Sequence, residues 1–200
     1  MGAVEDGRME RGDLGAGRVC LPERVRLSGH GVVLREWGDG DLAAMVELFD
    51  DPEVAYWTPL ASPFDPEAAR AYLERARRRR ATGERVQLAI TVDGGEPAGE
   101  VLLMLSGLGL DVAEIGYGLG AAYRGRGLAS GAVRVMTEFA RRTVGVSRLL
   151  LEIEADNAAS VAVARAAGYQ LTDAPPVPSE EKGRRMVLRT WEYAETDSHG

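Results

Sequence analysis

The chain has 200 residues, 45% apolar and 28% charged, so it is not collagen-like, disulfide-stapled or wholly disordered. Its net charge of -7 excludes a protein that binds polyanions over its whole surface. Of the 24 basic residues only Lys182 is lysine, and this arginine excess, like the 25 glycines, reads by default as the composition of a GC-rich genome.

Residues 1–24 are rich in glycine and charge without an apolar period, and read as an N-terminal tail. Residues 25–194 carry no linker or repeat and read as one domain, followed by a short tail at 195–200. Residues 32–37 read as a strand. Asp39 or Asp41 caps a helix carrying Leu42, Met45, Val46 and Phe49 at helical spacing. Residues 52–63 read as a loop holding Tyr56 and Trp57. Asp65-Pro66-Glu67 starts a helix that ends near 81, before Gly83. Arg77, Arg78, Arg79 and Arg80 lie at its C-terminal end, where cations suit the dipole, and read as a solvated helix end rather than a binding patch.

Three strands follow at 86–92, 97–105 and 112–119, the first two joined by the hairpin signal Asp93-Gly94-Gly95. A glycine-rich turn leads into an apolar helix over 127–142. A strand at 148–154, a short helix at 158–167 and a strand at 169–172 come next. Residues 175–178 begin a proline-rich loop, and a strand at 185–191 closes the chain. An antiparallel meander joined to a β-α-β unit predicts an α/β (α+β) domain with a mixed, mostly antiparallel sheet of about seven strands and about four helices.

Cys20 is the single cysteine, so no internal disulfide forms and a cytoplasmic setting is expected. No apolar run approaches the ~18 residues of a membrane helix, and the N-terminus has no signal-peptide core. No membrane or nucleic-acid partner is expected.

The segment Tyr123-Arg124-Gly125-Arg126-Gly127-Leu128-Ala129 lies between a strand and a helix. Small residues let a ligand approach the backbone, and the free N–H groups and dipole of a helix start attract an anion. Arg124 and Arg126 place positive charge at the rim. The dinucleotide fingerprint fails at its third glycine, where Ser130 stands, and a P-loop lacks its lysine. On spacing alone, a phosphate cradle and an ordinary glycine-rich turn both remain open.

The flanking sequence separates them. Arg124-x-x-Gly127-x-Ala129 resembles the R/Q-x-x-G-x-G/A motif of the GCN5-related N-acetyltransferases (GNAT). Upstream, Ala113-Glu114-Ile115-Gly116-Tyr117-Gly118-Leu119 is similar to the A-E-I-G-Y-W-L pattern of the ribosomal-protein N-terminal acetyltransferase (RimJ/RimL-like) branch, with Gly118 in place of tryptophan. Downstream, Asp156-Asn157-Ala158-Ala159-Ser160 and Gly168-Tyr169 match D-N-x-x-S followed by G-F/Y. Leu34-Arg35 and the stretch from Asp51 to Trp57 resemble the same branch, so the likeness spans about residues 31–191.

The resemblance implies transfer of an acetyl group from acetyl-CoA to an amine, by direct attack in a ternary complex. It implies that backbone N–H groups of Gly125, Arg126, Gly127, Leu128 and Ala129 hold the pyrophosphate. It implies that a splayed strand exposes backbone near Tyr117, Gly118 and Leu119 to the pantetheine amides. Asn157 is a candidate for the pantetheine arm and equally an N-cap for the helix at 158–167. Glu114 is the first candidate for general base, with Glu100, Glu152, Glu154 and Glu180 or Glu181 as others. Many members protonate the thiolate with a tyrosine at the position of Ala164, so Ser160 becomes the candidate donor here, unless its hydroxyl bonds within the helix.

Trp37, Tyr56 and Trp57 lie where the family builds its acceptor wall, though such aromatics also fill cores. Tyr169 reads as core. His30 and His199 suggest no catalytic arrangement, and no residue cluster resembles a metal site. The acceptor is a small amine or a peptide or protein N-terminus. A non-catalytic acyl-CoA-binding module of the same fold is the alternative, and a homodimer stays open.

Overall fold

The computed structural model describes residues 21–105 and 111–194. Most of the expected N-terminal tail, the tail at 195–200, Cys20 and His199 lie outside the described residues. A nine-stranded sheet forms the frame, in the order β1-β2-β3-β4-β5-β6-β9-β7, with β8 also paired to β9. The strands are β1 (Arg26–Gly29), β2 (Val32–Glu36), β3 (Arg85–Thr91), β4 (Pro97–Met104), β5 (Val112–Leu119), β6 (Arg148–Glu154), β7 (Tyr169–Leu171), β8 (Val177–Glu181) and β9 (Arg184–Tyr193). All pairings are antiparallel except β5 with β6.

Among the described residues five α-helices cover the two faces: α1 (Leu42–Phe49), α2 (Pro52–Trp57), α3 (Pro66–Ala81), α4 (Leu128–Phe139) and α5 (Ala158–Ala166). Helix α4 is the most buried, because Leu128, Ala132, Val133, Met136 and Phe139 pack on the core formed with Leu34, Leu88, Ile90, Val101, Leu103 and Ile115. A single π-helical turn, Ala140–Val144, prolongs it until Gly145 ends it at a φ of 84°. Helices α1, α2 and α3 close a second core on Trp37, Met45, Phe49, Val54, Phe64, Leu73 and Ala89.

The mixed sheet class is as expected, but three elements were not read. Strand β1 pairs with β2 through a tight turn at His30 and Gly31, whose φ values are 49° and 78°. Helix α2 occupies part of the expected loop. Asp51 caps it by accepting from the N–H groups of Glu53 and Val54, with Pro52 in the first turn. The same Asp-Pro-Glu signature starts α3 at Asp65. Strand β8 carries Pro178, which an edge strand tolerates because its N–H side needs no partner. Lys182 and Gly183, at φ 50° and 74°, form the turn into β9.

The register decides what faces the second helical layer. Arg85 pairs with Met104, and Met104 pairs with Glu114. Two residues on, Gln87 meets Leu102 and Leu102 meets Gly116; then Ala89 meets Glu100 and Glu100 meets Gly118. By alternation these residues share one face, and Ala89 places that face against the second core. On β6 the alternation buries Leu149, Leu151 and Ile153 in the α4 core and turns Glu152 and Glu154 the other way.

Candidate active site

Strands β5 and β6 pair only from Val112↔Arg148 to Glu114↔Leu150. Beyond that point β5 continues to Leu119 and β6 to Glu154, so the two diverge. The sheet therefore opens at Ile115, and backbone polar groups of β5 from there to Leu119 lose a β6 partner. A cavity of about 610 Å³ lies at this opening. Its lining comes from α1, α2, α3, α5 and strands β3, β4, β5, β6, β8 and β9.

Glu114, Tyr117, Gly118, Asn157, Ser160, Tyr56 and Trp57 all line it, so these seven separately inferred residues converge on one space, whereas Leu119 and the turn from Arg124 to Ala129 lie outside the lining. Trp37 does not. It is buried in the second core, edge-on to Phe49 at 6.0 Å, and its role is packing rather than acceptor contact. Tyr169 is also core, its hydroxyl hydrogen-bonded with that of Thr137 at 2.8 Å.

Glu114 sits at the point of divergence. Its carboxyl is pushed up to about 7, first by burial and then by the like charge of Glu152, with Arg85 opposing. One Glu152 oxygen accepts from the Thr190 hydroxyl at 2.8 Å; the other is buried with no hydrogen-bond partner among the described residues. Glu100 also rises to about 7. Burial drives it, against hydrogen bonds from the Tyr72 hydroxyl (2.7 Å) and the Gln87 amide (2.9 Å). Two carboxyl groups on this face are thus poised near neutrality.

Asn157 caps α5: its side-chain oxygen accepts from the Ser160 N–H at 3.0 Å. The Tyr117 hydroxyl donates to the Ser160 carbonyl at 3.3 Å, bridging β5 and α5 across the gap. Burial pushes that phenol up to about 12. Ala164, where a tyrosine was sought, is fully buried. Tyr117 was read from the sequence for its backbone alone; its side chain gave no signal because its reach to α5 depends on the sheet opening.

The glycine-rich turn lies at the start of α4, outside the cavity lining. Gly125 and Gly127 have φ values of 71° and 77°, conformations that favour glycine. A Cβ at either would meet nothing within 4 Å, so open space faces both. Gly127 is the N-cap, and no side chain caps the first turn. Amide groups at this helix start therefore present donors to an anion. Leu128 and Ala129 anchor the turn by burying their side chains. Arg126 lies over the Tyr123 ring at 5.9 Å.

Arg124 behaves differently from the expectation of a phosphate-rim charge. Its guanidinium binds Asp51 at 3.1 Å, Glu53, and the Leu119 carbonyl at 3.3 Å. It ties the turn to the start of α2 and to the end of β5. The other side of α2 is held by the β8–β9 hairpin. Lys182 donates to the Ala55 carbonyl at 2.8 Å. Arg184 grips Glu154 through both Nη atoms (2.7 and 2.6 Å) and stacks over Tyr56 at 4.3 Å and Trp57 at 5.8 Å. The aromatic wall is thus fixed from both ends. This clamp is not legible in the sequence, because it depends on β8, whose proline predicts a loop.

Among the described residues no helix is long and apolar enough to cross a membrane, and no group of His, Cys, Asp or Glu is arranged to hold a metal.

Solved structures with this fold include a GNAT-family acetyltransferase from Bacillus anthracis, at TM-score 0.72 and 15% identity, covering 84% of this chain and 97% of that one. Mycobacterium smegmatis RimJ, in complex with CoA-disulfide, matches at TM-score 0.70 and 20% identity, covering 84% and 86%. RimL, a ribosomal alpha-N-protein acetyltransferase in complex with coenzyme A, matches at TM-score 0.68 and 22% identity, covering 82% and 94%. No curated protein matches the chain in sequence. The acetyltransferase (GNAT) domain model matches residues 32–170. The chain therefore belongs to the GNAT acetyltransferase family, and the branch its motifs resemble is represented among its structural neighbours.

Proposed function

We propose that the protein transfers the acetyl group of acetyl-CoA to a primary amine by direct attack in a ternary complex. The observation that carries this reading is the divergence of β5 from β6 onto a cavity containing Glu114, beside a helix start with uncapped amide donors. Acetyl-CoA fits the chemistry of both parts. The turn at Gly125–Ala129 suits a pyrophosphate, and the open edge of β5 from Tyr117 to Leu119 suits the amides of the pantetheine arm. Asn157 supports that arm by holding the start of α5, whatever further contact its amide makes.

Glu114 takes the proton of the attacking amine, directly or through one water. The amine nitrogen forms a bond to the thioester carbon, and the carbon–sulfur bond breaks. The thiolate receives a proton from Ser160 or Tyr117, the two hydroxyl groups on the α5 side of the cavity. Tyr56 and Trp57 form the acceptor wall.

Calorimetry with acetyl-CoA, followed by thiol release over an amine and peptide panel, tests the proposal. Saturable binding and amine-dependent thiol release are expected. No heat and no thermal shift at millimolar acetyl-CoA would refute it. Tight binding with no release from any amine would instead favour a non-catalytic acyl-CoA-binding module. For the leaving group, the Ser160→Ala and Tyr117→Phe pair is informative. The variant that removes the donor slows turnover most at low pH and least at high pH, because above a pKa near ~8.5 the thiol is stable as a free thiolate and leaves without a proton. Rate profiles over pH that match the unmodified enzyme in both variants would exclude both hydroxyl groups.

A further inference from the structure

The charges lining the cavity are not evenly matched. Helix α3 ends in a run of arginines, and three of them turn outward to carboxylates: Arg77 to Asp39 at 2.9 Å, Arg78 to Glu74 at 3.7 Å and Arg80 to Glu36 at 3.0 Å. Arg75 and Arg79, one turn apart on the same helical face, line the cavity instead. Arg85, the first residue of β3, lines it with them. The tight turn between α3 and β3, closed by the Glu84 N–H to the Arg79 carbonyl at 2.8 Å, brings Arg79 beside Arg85.

Among the described residues none of these three has a carboxylate within 4.0 Å. Arg75 lies over the Tyr72 ring at 5.7 Å. Glu100 and Glu114 act on Arg85 only at longer range, while burial and neighbouring Arg79 hold it below the usual arginine range. Three guanidinium groups at one end of a cavity, one of them half-buried, are stabilised by an anion.

The other end has the opposite character. Along the strand order, β3 and β8 flank the cavity from opposite sides. Glu154 is neutralised by Arg184, and Glu100 is satisfied by Tyr72 and Gln87. Glu114 and Glu152 remain at the divergence, and Glu181 is exposed on β8. An amine held at Glu114 therefore has arginines on its β3 side and carboxylates on its β6 and β8 side.

We infer that Arg75, Arg79 and Arg85 form an anion subsite, and that the acceptor is a primary amine which also carries a carboxylate or phosphate group. This rests on the acetyl-transfer reading and specifies its acceptor. The net charge of -7 would favour a polycationic acceptor by long-range attraction. The local arginines oppose one, because a second cation would face them inside the cavity.

The test uses the full chain, acetyl-CoA and matched amines. L-Amino acids and dipeptides are compared with their C-terminal amides, phosphoethanolamine with ethanolamine, and alkyl diamines serve as cationic controls. The measured quantity is the ratio of kcat/KM for each anionic amine to that for its uncharged match. Arg85 also acts on Glu114, so the ratio is read rather than the absolute rate. The carboxylate and phosphate arms identify which anion the subsite takes.

The expected ratio is above about tenfold, and it falls at least about tenfold in Arg79→Gln/Arg85→Gln. Arg79 is exposed and its side chain holds no hydrogen bond among the described residues, so Arg79→Gln alone retains the fold and shows a smaller fall in the same direction. Preference for uncharged amines or diamines, or a ratio unmoved by either variant, would overturn the inference.

If no amine is acetylated, the transfer reading fails and the subsite is judged by calorimetry on the CoA-bound protein. Tighter binding of the anionic amines, lost in the double variant, upholds the subsite. Equal binding, or none, overturns it as well.

Discussion

Gly127→Glu yields a folded protein whose affinity for acetyl-CoA is lower by about a hundredfold or more. The fold survives because a Cβ at this position meets nothing within 4 Å. The cost to stability is confined to the left-handed conformation at φ 77°, on the order of 1–2 kcal/mol. Ligand binding suffers because the new side chain enters the open space above the helix start and sets a carboxylate beside a pyrophosphate. Gly127→Asn separates the two effects. Asparagine tolerates this backbone conformation and is uncharged, so it loses far less affinity. Calorimetry with acetyl-CoA, alongside circular dichroism, measures both. An unchanged affinity in folded Gly127→Glu would place the pyrophosphate elsewhere.

The second large effect is chemical. Glu114→Gln lowers kcat/KM for the amine by about 10²–10⁴-fold, the range expected for loss of a positioned base, without changing acetyl-CoA affinity. The pH profile gives the sign. A carboxyl raised to about 7 is a base only when deprotonated, so kcat/KM rises with pH through about 7 in the unmodified enzyme. In Glu114→Gln that rise disappears. Persistence of the rise with only a small loss of rate would move the base to Glu152 or Glu100.

The same displacement has a consequence for stability. The folded state holds the proton of Glu114 more tightly than the unfolded chain does. Its contribution is complete below about 4.5 and is lost as pH rises through about 7. Glu100 acts in the same direction over the same window. Removing the Glu114 charge therefore flattens part of the decline in stability between those values, which thermal melts over pH can follow.

The particular residues explain what was legible beforehand. Local signals are legible where physical chemistry is local: the Asp65-Pro66 start of α3, the Asp93-Gly94-Gly95 turn, and the glycine-rich turn before α4. Helix α2 escaped despite its own Asp51-Pro52-Glu53 cap, since six residues leave too little periodicity to recognise. Strand β8 escaped because its proline pointed to a loop, and only its edge position makes that residue tolerable. Arg77 and Arg78 fit a solvated helix end, each with an outward carboxylate, whereas Arg80 is largely buried and ties α3 to Glu36 and to the Pro22 and Glu23 carbonyls. Arg79 differs only because the helix phase and the turn into β3 point it at the cavity. Trp37 was placed on the acceptor wall by analogy, whereas packing against Phe49 decides its position.

By itself the sequence determined the family and the mixed sheet, and singled out the glycine-rich turn before α4, because these are carried by local patterns: motifs of fixed spacing, a cap, an alternation along a strand. The tertiary structure alone decided which carboxyl groups approach neutrality, which aromatics face the cavity, and which arginines lack a counter-charge. Those properties arise where strands far apart in the chain share one face and where β5 parts from β6. Desolvation and long-range pairing depend on which residues surround a group in space, and no local pattern encodes that.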